Sequence, residues 1–447
     1  MIAFQTLFLG LVFGFGSVRM MVSPPVATVE LYLDGASVGT VGGEPWEVAC
    51  RFGAAPLPHE LVAVGRDADG KEIGRVRQFV NLPRPAAETR ILVEPAAGGK
   101  PAFARLAWST IDNAKPKRFD VSLDGSPIAV QDPQRIELAG LDLRRSHFLS
   151  AEVIFPKGVV AKAEASIGGE AEAAAASELT AIAVVLRPGQ ELPAIDAMQT
   201  WFLKSGRPLR VVAVEDGHAD AVAVFDQDSG QRFGGISQGQ PNSMILANPL
   251  PIQPSRGGNR LIAIWAVPTP TRSAGGAESR GLFRVSIPLD LDVDEMRTLI
   301  FRFAFPAAPP KTQALANAVA TAGMQAASLN RRRAVALFVG EAPPDSSTMT
   351  VDAARAYLES INVPLFVWSP DRRISELALP GWGLPDDVST DLQFQGAVTR
   401  LQNALAAQRI VWLAGSHLPQ SVTIAPGVKQ VFLARGVVRA ERTAGRS

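Results

Sequence analysis

A short motif that occurs twice is the feature that most limits how the N-terminal part of this chain can fold. The segment Val29-Glu-Leu-Tyr-Leu-Asp-Gly35 is matched by Phe119-Asp-Val-Ser-Leu-Asp-Gly125. A second pair follows in the same order, since His59-Glu-Leu-Val-Ala63 is matched by His147-Phe-Leu-Ser-Ala151. Two motifs that recur in the same order, 90 and 88 positions apart, predict two tandem copies of one domain.

The repeated motif has the pattern of a β-hairpin. Residues 28–33 and 37–41 alternate between apolar and polar side chains, and Asp34-Gly35 supplies the positive φ that a tight turn needs. Short strands separated by frequent turn signals are typical of a β-sandwich. We therefore predict two Ig-like β-sandwiches, at residues 24–94 and 100–168.

The histidines and the cysteine of this region are interpreted as structural. His59 and His147 each stand at the start of a predicted strand, so each copy is expected to pack its own histidine. The single cysteine, Cys50, excludes an internal disulfide. It lies in a strand-like run without a neighbouring cation, which favours a small buried side chain over a catalytic thiol.

The N-terminus resembles a leader. Residues 2–15 are apolar apart from Gln5, Thr6 and glycines, and this run is too short for a membrane span and long enough for a signal-peptide core. We predict a signal peptide at residues 1–22, and a secreted, periplasmic or cell-surface location. The run lacks a preceding basic residue and a following Ala-x-Ala site. Two alternatives are therefore an uncleaved anchor and a wrongly assigned start. An uncleaved anchor would be the expected contact with a membrane.

Charge and length limit the remaining possibilities. With 44 basic and 43 acidic residues, the chain has no field that would concentrate phosphates, so nucleic acid is not an expected partner. Its 447 residues predict about three domains at roughly 100–200 residues each.

The second half of the chain, after a Gly/Ala/Glu-rich linker at residues 169–178, alternates between buried-type strands and amphipathic helices. This alternation predicts a doubly wound α/β domain of the Rossmann type over residues 179–434, with a β-rich insertion at about 227–310 and a disordered tail at 435–447. The predicted strands are 180–186, 209–214, 221–225, 334–339, 363–368, 409–413 and 429–433, and the predicted helices are 195–204, 312–330, 351–361 and 392–408.

Part of this region resembles a known family. The helix start at 313–322, the strand at 330–339 and the Val-Pro-Leu strand at 363–368 are similar to the second half of von Willebrand factor A (VWA) domains. With the preceding Ig-like copies, the chain resembles the bacterial VWA-related proteins. The resemblance implies a VWA-like fold for residues 179–434.

The same resemblance implies a divalent-cation site, which this sequence does not reproduce. The family holds its cation with an Asp-x-Ser-x-Ser loop after the first strand, a Thr at a helix start and an Asp after the middle strand, because a hard cation needs several oxygens. The corresponding positions offer Glu191, then Gln313 or the adjacent Thr312, and Glu341. We therefore predict a degenerate domain without metal or other cofactor; Glu191, Thr312 and Glu341 are the ligands if a site persists.

Three further patterns are interpreted as structural rather than as sites: the first and third as loops, and the second as an exposed strand edge or turn. Gly235-Ile-Ser-Gln-Gly239 lacks the strand and helix of a nucleophile elbow. Asp290-Leu-Asp-Val-Asp294 lacks the glycine and the twelfth-position acid of a calcium loop. Asp216-Gly-His-Ala-Asp220 clusters ligand types after a strand, without zinc spacing. No catalytic residue is predicted, and we do not expect an enzyme.

Candidate interaction residues come from two clusters. Arg331, Arg332 and Arg333 follow a helix, where they either neutralise its carboxyl end in solvent or dock an acidic partner. Trp368 and Trp382 are either aromatic anchors of an interface or core residues. We expect a non-catalytic extracytoplasmic interaction or scaffold protein with an unknown protein partner. The alternative is a magnesium- or calcium-dependent VWA adhesion module with a rearranged site.

Overall fold

The chain forms two β-sandwiches followed by a larger body that contains a small antiparallel sheet and a mainly parallel sheet. The structure is a computed structural model. It describes residues 1–6, 8, 10–83, 87–95, 101–110, 114–138, 140–142, 144–168, 179–226, 229, 255, 258–272, 278–292, 294–296, 313–340 and 345–438.

The first sandwich packs a three-stranded sheet, in the order β1-β2-β5, against a four-stranded sheet, in the order β4-β3-β6-β7. Side chains that alternate inward from both sheets, among them Leu31, Phe52 and Leu61, form its core. Cys50 lies in this core, and burial raises the pKa of its thiol, as expected of a structural cysteine. The strands are β1 Ile2–Phe4, β2 Gly14–Val22, β3 Thr28–Leu33, β4 Ala36–Val41, β5 Glu47–Gly53, β6 His59–Arg66 and β7 Glu72–Val80.

Residues 2–4 and 14–22, within the segment predicted to be a signal peptide or anchor, form strands of this sandwich. Strand β2 pairs with β5, and Val18 and Met20 are buried in the core. Phe4, Phe8 and Val12 of the same segment also pack against this core, and the prediction of a signal peptide stays a prediction. No helix in the described part of the chain is long and apolar enough to cross a membrane.

The second sandwich repeats the four-stranded sheet of the first, in the order β11-β10-β13-β14, and packs it against β12-β9-β8. The structure moves the predicted boundary, because Ala87–Pro95 pairs with β9 and so belongs to this sandwich. The strands are β8 Ala87–Pro95, β9 Pro101–Thr110, β10 Arg118–Leu123, β11 Ser126–Ile128, β12 Ile136–Glu137, β13 His147–Ile154 and β14 Val160–Ile167, with a 3-10 helix at Pro156–Gly158.

Both copies hold their hairpin turn with the same side chains, which confirms the structural interpretation of the histidines. His59 Nδ1 lies 2.7 Å from Asp34 Oδ2, and His147 Nδ1 lies 2.7 Å from Asp124 Oδ2. The second oxygen of each aspartate accepts the backbone N–H after the histidine, at 2.8 Å. Asp34 and Asp124 both have positive φ, at 53° and 51°, as the Asp-Gly turns require.

The small antiparallel sheet corrects the predicted topology. Predicted strands 180–186, 209–214, 409–413 and 429–433 form this separate sheet, in the order β18-β26-β15-β28, and do not join the parallel sheet. The predicted helix at 195–204 is a 3-10 turn, Ile195–Met198, followed by a strand. The strands are β15 Leu179–Leu186, β16 Phe202–Lys204, β17 Arg207–Pro208, β18 Val211–Glu215, β26 Gln408–Ala414, β27 Val422–Ile424 and β28 Val431–Leu433, and a 3-10 helix spans Pro419–Ser421.

The mainly parallel sheet has the order β21-β20-β19-β23-β24-β25, and β22 and β29 pair with β20 and β24. Strand β20 is parallel to β19, so the predicted insertion contributes a strand to the sheet itself. Strand β29, within the predicted tail, pairs with β24 and so also belongs to the sheet. The strands are β19 Ala219–Phe225, β20 Arg260–Arg272, β21 Glu278–Val285, β22 Leu289–Asp290, β23 Arg332–Phe338, β24 Leu365–Ser369, β25 Asp386–Asp387 and β29 Val437–Val438.

Helices cover both faces of this sheet, as its alternation of strands and helices predicts. Val222, Val335 and other side chains of one face pack on α1 and α2, and Ala223, Phe338 and others of the opposite face pack on α4. The predicted linker at 169–178 lies outside the described residues, as do residues 439–447. The helices are α1 Leu315–Ala327, α2 Val351–Ser360, α3 Arg372–Ser375 and α4 Asp391–Ala406.

The first sandwich contacts the C-terminal body through its loops. Tyr357 of α2 is buried and donates its hydroxyl to the carbonyl of Asn81, at 3.1 Å. Leu11 and Phe13 pack against the core beneath α1 and α2. The sandwich is therefore attached to a helical face by both apolar and polar contacts.

Two helical glycines allow a test of the packing of α1 on α2. A Cβ at Gly323 of α1 would lie 2.7 Å from Leu358 Cδ1, whereas a Cβ at Gly396 of α4 would meet its nearest neighbour at 3.5 Å. We expect Gly323→Ala to lower the free energy of unfolding by about 1–2 kcal/mol, because overpacking exceeds the gain in helix propensity. The matched change Gly396→Ala should raise it by about 0.5–1 kcal/mol. Urea unfolding measures both, and a stabilising Gly323→Ala would contradict the close approach of the two helices.

Candidate functional site

The densest set of buried charges lies where the second sandwich meets the C-terminal body. The outward face of β10, β13 and β14 presents polar side chains in rows, because cross-strand partners point to the same side of a sheet. One row joins Asp120, Glu152 and Lys162, and the next joins Ser122, Ser150 and Glu164. This face is turned towards the body, so its charges require partners there.

Arg331 supplies one such partner, from the turn between α1 and β23. Its Nε donates to Glu152 Oε1 at 2.8 Å, and its Nη2 donates to the second oxygen of the same carboxylate. Its Nη1 lies 3.2 Å from Asp220 Oδ1. Asp220 also receives Arg260, with Nε and Nη2 at 2.7 and 2.6 Å from its two oxygens. Two arginines and two carboxylates thus form one continuous buried network.

Ion pairing affects the pKa values of the carboxylates in this network more than burial does. Burial raises the pKa of Asp220, but Arg260 and Arg331 lower it by more, so the pKa lies below its ordinary value. Glu152 behaves in the same way, with Arg331 as its principal partner. Burial lowers the pKa of Arg331, and Asp220 and Glu152 together raise it above its ordinary value. All three groups are therefore charged in the folded chain.

A second group of charges surrounds Lys162. Its Nζ lies 2.7 Å from Glu215 Oε2 and 3.2 Å from Glu164 Oε1. Trp412 Nε1 donates to Glu215 Oε2 at 2.6 Å, and the Lys162 ammonium lies 5.2 Å from the Trp412 ring centroid. Burial lowers the pKa of Lys162, but Glu164 and Glu215 raise it above its ordinary value. Lys162 thus remains charged while it bridges the sandwich and the small sheet.

A cleft of about 180 Å³ opens beside these two groups of charges. Its walls come from the second sandwich on one side and from the turns before β19 and β23 on the other. Arg332 braces those turns, since its Nε donates to Gly217 O at 2.6 Å and its Nη1 donates to Leu405 O at 3.1 Å. The lining residues with ionisable side chains are Asp120, Glu152, Lys162, Glu215, His218, Arg331 and Arg332.

The carboxyl edge of the parallel sheet is the second candidate, because ligands of α/β sheets bind there. Asp226 directly follows β19 and is buried. Its Oδ1 accepts the backbone N–H of Ser229 at 2.6 Å, and its Oδ2 accepts that of Gly340, after β23, at 2.8 Å. The aspartate therefore joins the loops that follow two adjacent strands.

The start of α1 lies at the same edge and is capped by a neighbouring loop. Asp345 accepts the backbone N–H groups of Leu315 at 2.9 Å and of Ala316 at 3.1 Å, and Ser347 Oγ accepts that of Asn317 at 3.0 Å. These acceptors satisfy donors that a helix start otherwise presents to an anion. The chain's own carboxylate thus occupies this position.

The two tryptophans proposed as interface anchors are core residues. Trp368 is fully buried and packs edge-on against Phe338, with ring centroids 5.1 Å apart. Trp382 is 5% exposed and belongs to the core between the sheet, α1 and α2. Their apolar surface is used for packing, so neither can anchor an external partner.

The three arginines are likewise not a solvated cluster. Arg331 does dock acidic partners, but they are Glu152 and Asp220 of the same chain. Arg333 is buried without a carboxylate and donates to Asn362 O at 3.2 Å, and burial lowers its pKa to about 10. Burial also lowers the pKa of Arg332. The cluster therefore fixes internal contacts.

Of the three alternative metal ligands, Glu191 alone lies within the described residues. Glu191 is exposed and follows β15, a strand of the small antiparallel sheet. Thr312 and Glu341 lie outside the described residues, as does Gly235–Gly239. The described residues contain no cluster of three or more metal-ligating side chains.

The two acidic patterns that were interpreted as structural differ in their surroundings. Asp216 and His218 are exposed, but Asp220 is inside β19 at the amino end of the parallel sheet, where it pairs with Arg260. Asp290 accepts a hydrogen bond from Ser255, and Asp292 accepts one from the backbone of Glu295, which fits a turn.

The sequence interpretation missed Asp226. The sequence pattern placed β15 as the first strand of the parallel sheet, so the ligand loop was expected after β15. The signal was present as Asp226-Gln-Asp-Ser229, directly after the strand at 221–225. The partners Glu152, Lys162 and Glu164 had no comparable signal, because their contacts connect distant parts of the sequence.

Comparison with known proteins gives no family assignment. No protein-family model matches the sequence, and no curated protein matches it. Fibronectin(III)-like modules of Clostridium thermocellum CbhA are 18% identical and cover 18% of this chain and 92% of their own, with a TM-score of 0.16. The central fibronectin-III array of RIM-binding protein is 12% identical and covers 45% of this chain and 81% of its own, with a TM-score of 0.20.

A third similar structure is proximal thread matrix protein 1 from the mussel byssus. It is 13% identical and covers 49% of this chain and 50% of its own, with a TM-score of 0.23. TM-scores this low carry no argument about function. The two N-terminal domains are Ig-like or fibronectin-III-like β-sandwiches, as their own strand pairing shows.

Arg331 offers a direct test of the junction. Arg331→Ala would leave Glu152 and Asp220 buried with less compensation, so we expect a loss of about 3–5 kcal/mol in the free energy of unfolding. Arg372→Ala, which removes a 3.4 Å ion pair between side chains that are 78% and 65% exposed, should cost less than about 1 kcal/mol. Urea unfolding of both variants measures the difference. Equal effects would contradict a stabilising network at Arg331.

Proposed function

We propose that this chain is a non-catalytic, extracytoplasmic interaction or scaffold protein whose C-terminal body is a VWA-like domain without its metal site. The observation that carries the proposal is the position of Asp226 at the carboxyl edge of the parallel sheet. There Asp226 is buried and both of its oxygens accept backbone N–H groups. This carboxylate braces two loops, which is a structural task.

The attachment of the sandwiches supports a scaffolding role. The second sandwich is joined to the body by a buried network through Arg331, and the first by Tyr357 and the apolar contacts of Leu11 and Phe13. Domains held in this way present their loops in a fixed relative orientation, which lowers the entropic cost of binding a large partner.

The partner surface that we propose is the carboxyl edge itself. Leu377, after α3, is 57% exposed, and Leu392, in the first turn of α4, is 80% exposed. Both segments follow strands that end at this edge. Exposed apolar side chains on rigid elements are suitable interface anchors.

A metal-dependent adhesion module is the alternative, and the position of Asp226 favours it. The residue follows the first strand of the parallel sheet, where VWA domains place an acidic loop, and Ser229 lies next to it.

The effect of cations separates the two proposals. If Asp226 is a brace, Asp226→Asn should cost about 1–3 kcal/mol, because an amide nitrogen cannot accept the second N–H, and the cost should be the same with and without millimolar Mg²⁺ or Ca²⁺. Wild-type melting should not shift with either cation. A rise in melting temperature that chelator reverses and Asp226→Asn abolishes would favour the metal-dependent module.

The partner surface has its own test. We expect the double variant Leu377→Asp and Leu392→Asp to lose a bound partner that the wild-type chain retains in an affinity pulldown, with unchanged melting, since both side chains are exposed. Phe15→Asp, a change at an 81% exposed side chain of the first sandwich, is the matched control and should retain the partner. Retention by the double variant would place the contact elsewhere.

A further inference from the structure

The ion pairs at the junction of the second sandwich and the body do not balance. Among the described residues that these ion pairs join, carboxylates outnumber cations. The carboxylates are Glu152, Glu164, Glu215 and Asp220, and the cations are Lys162, Arg260 and Arg331.

The imbalance is confined to one end of the junction. Arg331 and Arg260 share Glu152 and Asp220, so that end has two cations for two carboxylates. Lys162 alone faces both Glu164 and Glu215 at the other end. Glu215 lies 2.7 Å from the Lys162 ammonium and also accepts the indole N–H of Trp412 at 2.6 Å. Glu164 has the longer contact with Lys162, at 3.2 Å, so it is the less compensated of the two carboxyl groups.

We propose that this junction is a proton-operated clasp: a proton held at Glu164, beside Lys162 and Glu215, keeps the second sandwich on the C-terminal body, and release of that proton loosens the contact. The clasp is independent of what the carboxyl edge of the sheet binds, so the two proposals can fail separately.

Every element at this junction contributes to the surroundings of Glu164. Strand β14 supplies Lys162, β13 supplies Ser150 and Glu152, and β10 supplies Asp120 beyond them. From the body, β18 supplies Glu215 and β26 supplies Trp412, Arg331 precedes β23, and exposed His218 lies in the turn before β19. His218 is thus a second titratable group that the experiment must separate from Glu164.

The direction of the pH effect follows from Glu164. Burial raises its pKa, Lys162 lowers it and Glu215 raises it, and the net effect is a rise from 4.5 to about 7. Between these values the folded chain keeps a proton that the unfolded chain has lost. Stability must therefore fall as the pH rises through this window, and the contribution of the bound proton is absent above about pH 7.

Urea unfolding between about pH 5.5 and 8.5 tests the clasp. The wild-type midpoint should fall with rising pH. The midpoint of Glu164→Gln should not have this pH dependence, and at pH 8.5 it should be higher than that of the wild type. Glu215→Gln leaves Lys162 with one carboxylate, so its midpoint should also lose the pH dependence. This variant provides the test if Glu164→Gln does not fold. Glu137→Gln, at an exposed glutamate paired with Arg135, is the matched control and should follow the wild type.

Hydrogen exchange distinguishes an opening of the clasp from a general loss of stability. After correction for intrinsic rates, protection in 160–167 and 211–215 should fall in the wild type at pH 8.5 and remain in Glu164→Gln, while 332–338 stays protected in both. A wild-type slope that persists in both glutamine variants, or that disappears in His218→Gln instead, would overturn the proposal. Unchanged protection across the pH range would overturn it as well.

Discussion

The bidentate pairing of Arg331 with Glu152 is the contact on which the arrangement of this chain depends. It joins a strand of the second sandwich to the turn that leads into the central strand of the parallel sheet. Asp220 and Arg260 extend the same network to two further strands. Buried charges are costly unless paired, so the two bodies must meet in one register for all of these groups to be satisfied.

This constraint explains why the β-sandwiches are more than spacers. A face that carries Glu152, Lys162 and Glu164 could remain exposed on an isolated domain, but here it is covered by the body. The polar rows therefore act as an interface within the chain. At the opposite end of the strands, Asp226 and Asp345 brace loops of the carboxyl edge of the parallel sheet, which is the partner surface that we propose.

The sequence was most informative where structure is local. The repeated motif predicted the hairpins and the structural histidines, and the periodic runs predicted the helices at 351–361 and 392–408 to within a few residues. The sequence did not predict which sheet these strands join. Strands 180–186 and 409–413 were expected in the parallel sheet, but they are buried on both faces of an antiparallel sheet. Such strands have the same continuous apolar pattern as parallel ones. Because β15 was assigned to the parallel sheet, the metal ligands were expected after β15 and not at Asp226. Long-range pairs such as Arg331 with Glu152 have no recognisable pattern in the sequence.

Native-state hydrogen exchange tests most directly whether the second sandwich and the body form one cooperative unit. The account predicts that the slowest amides of 147–154 and 332–338 open with the same free energy, and that both respond equally to low concentrations of urea. Exchange of 147–154 through a smaller opening, while 332–338 keeps its full protection, would show that the sandwich is independent and would contradict the account.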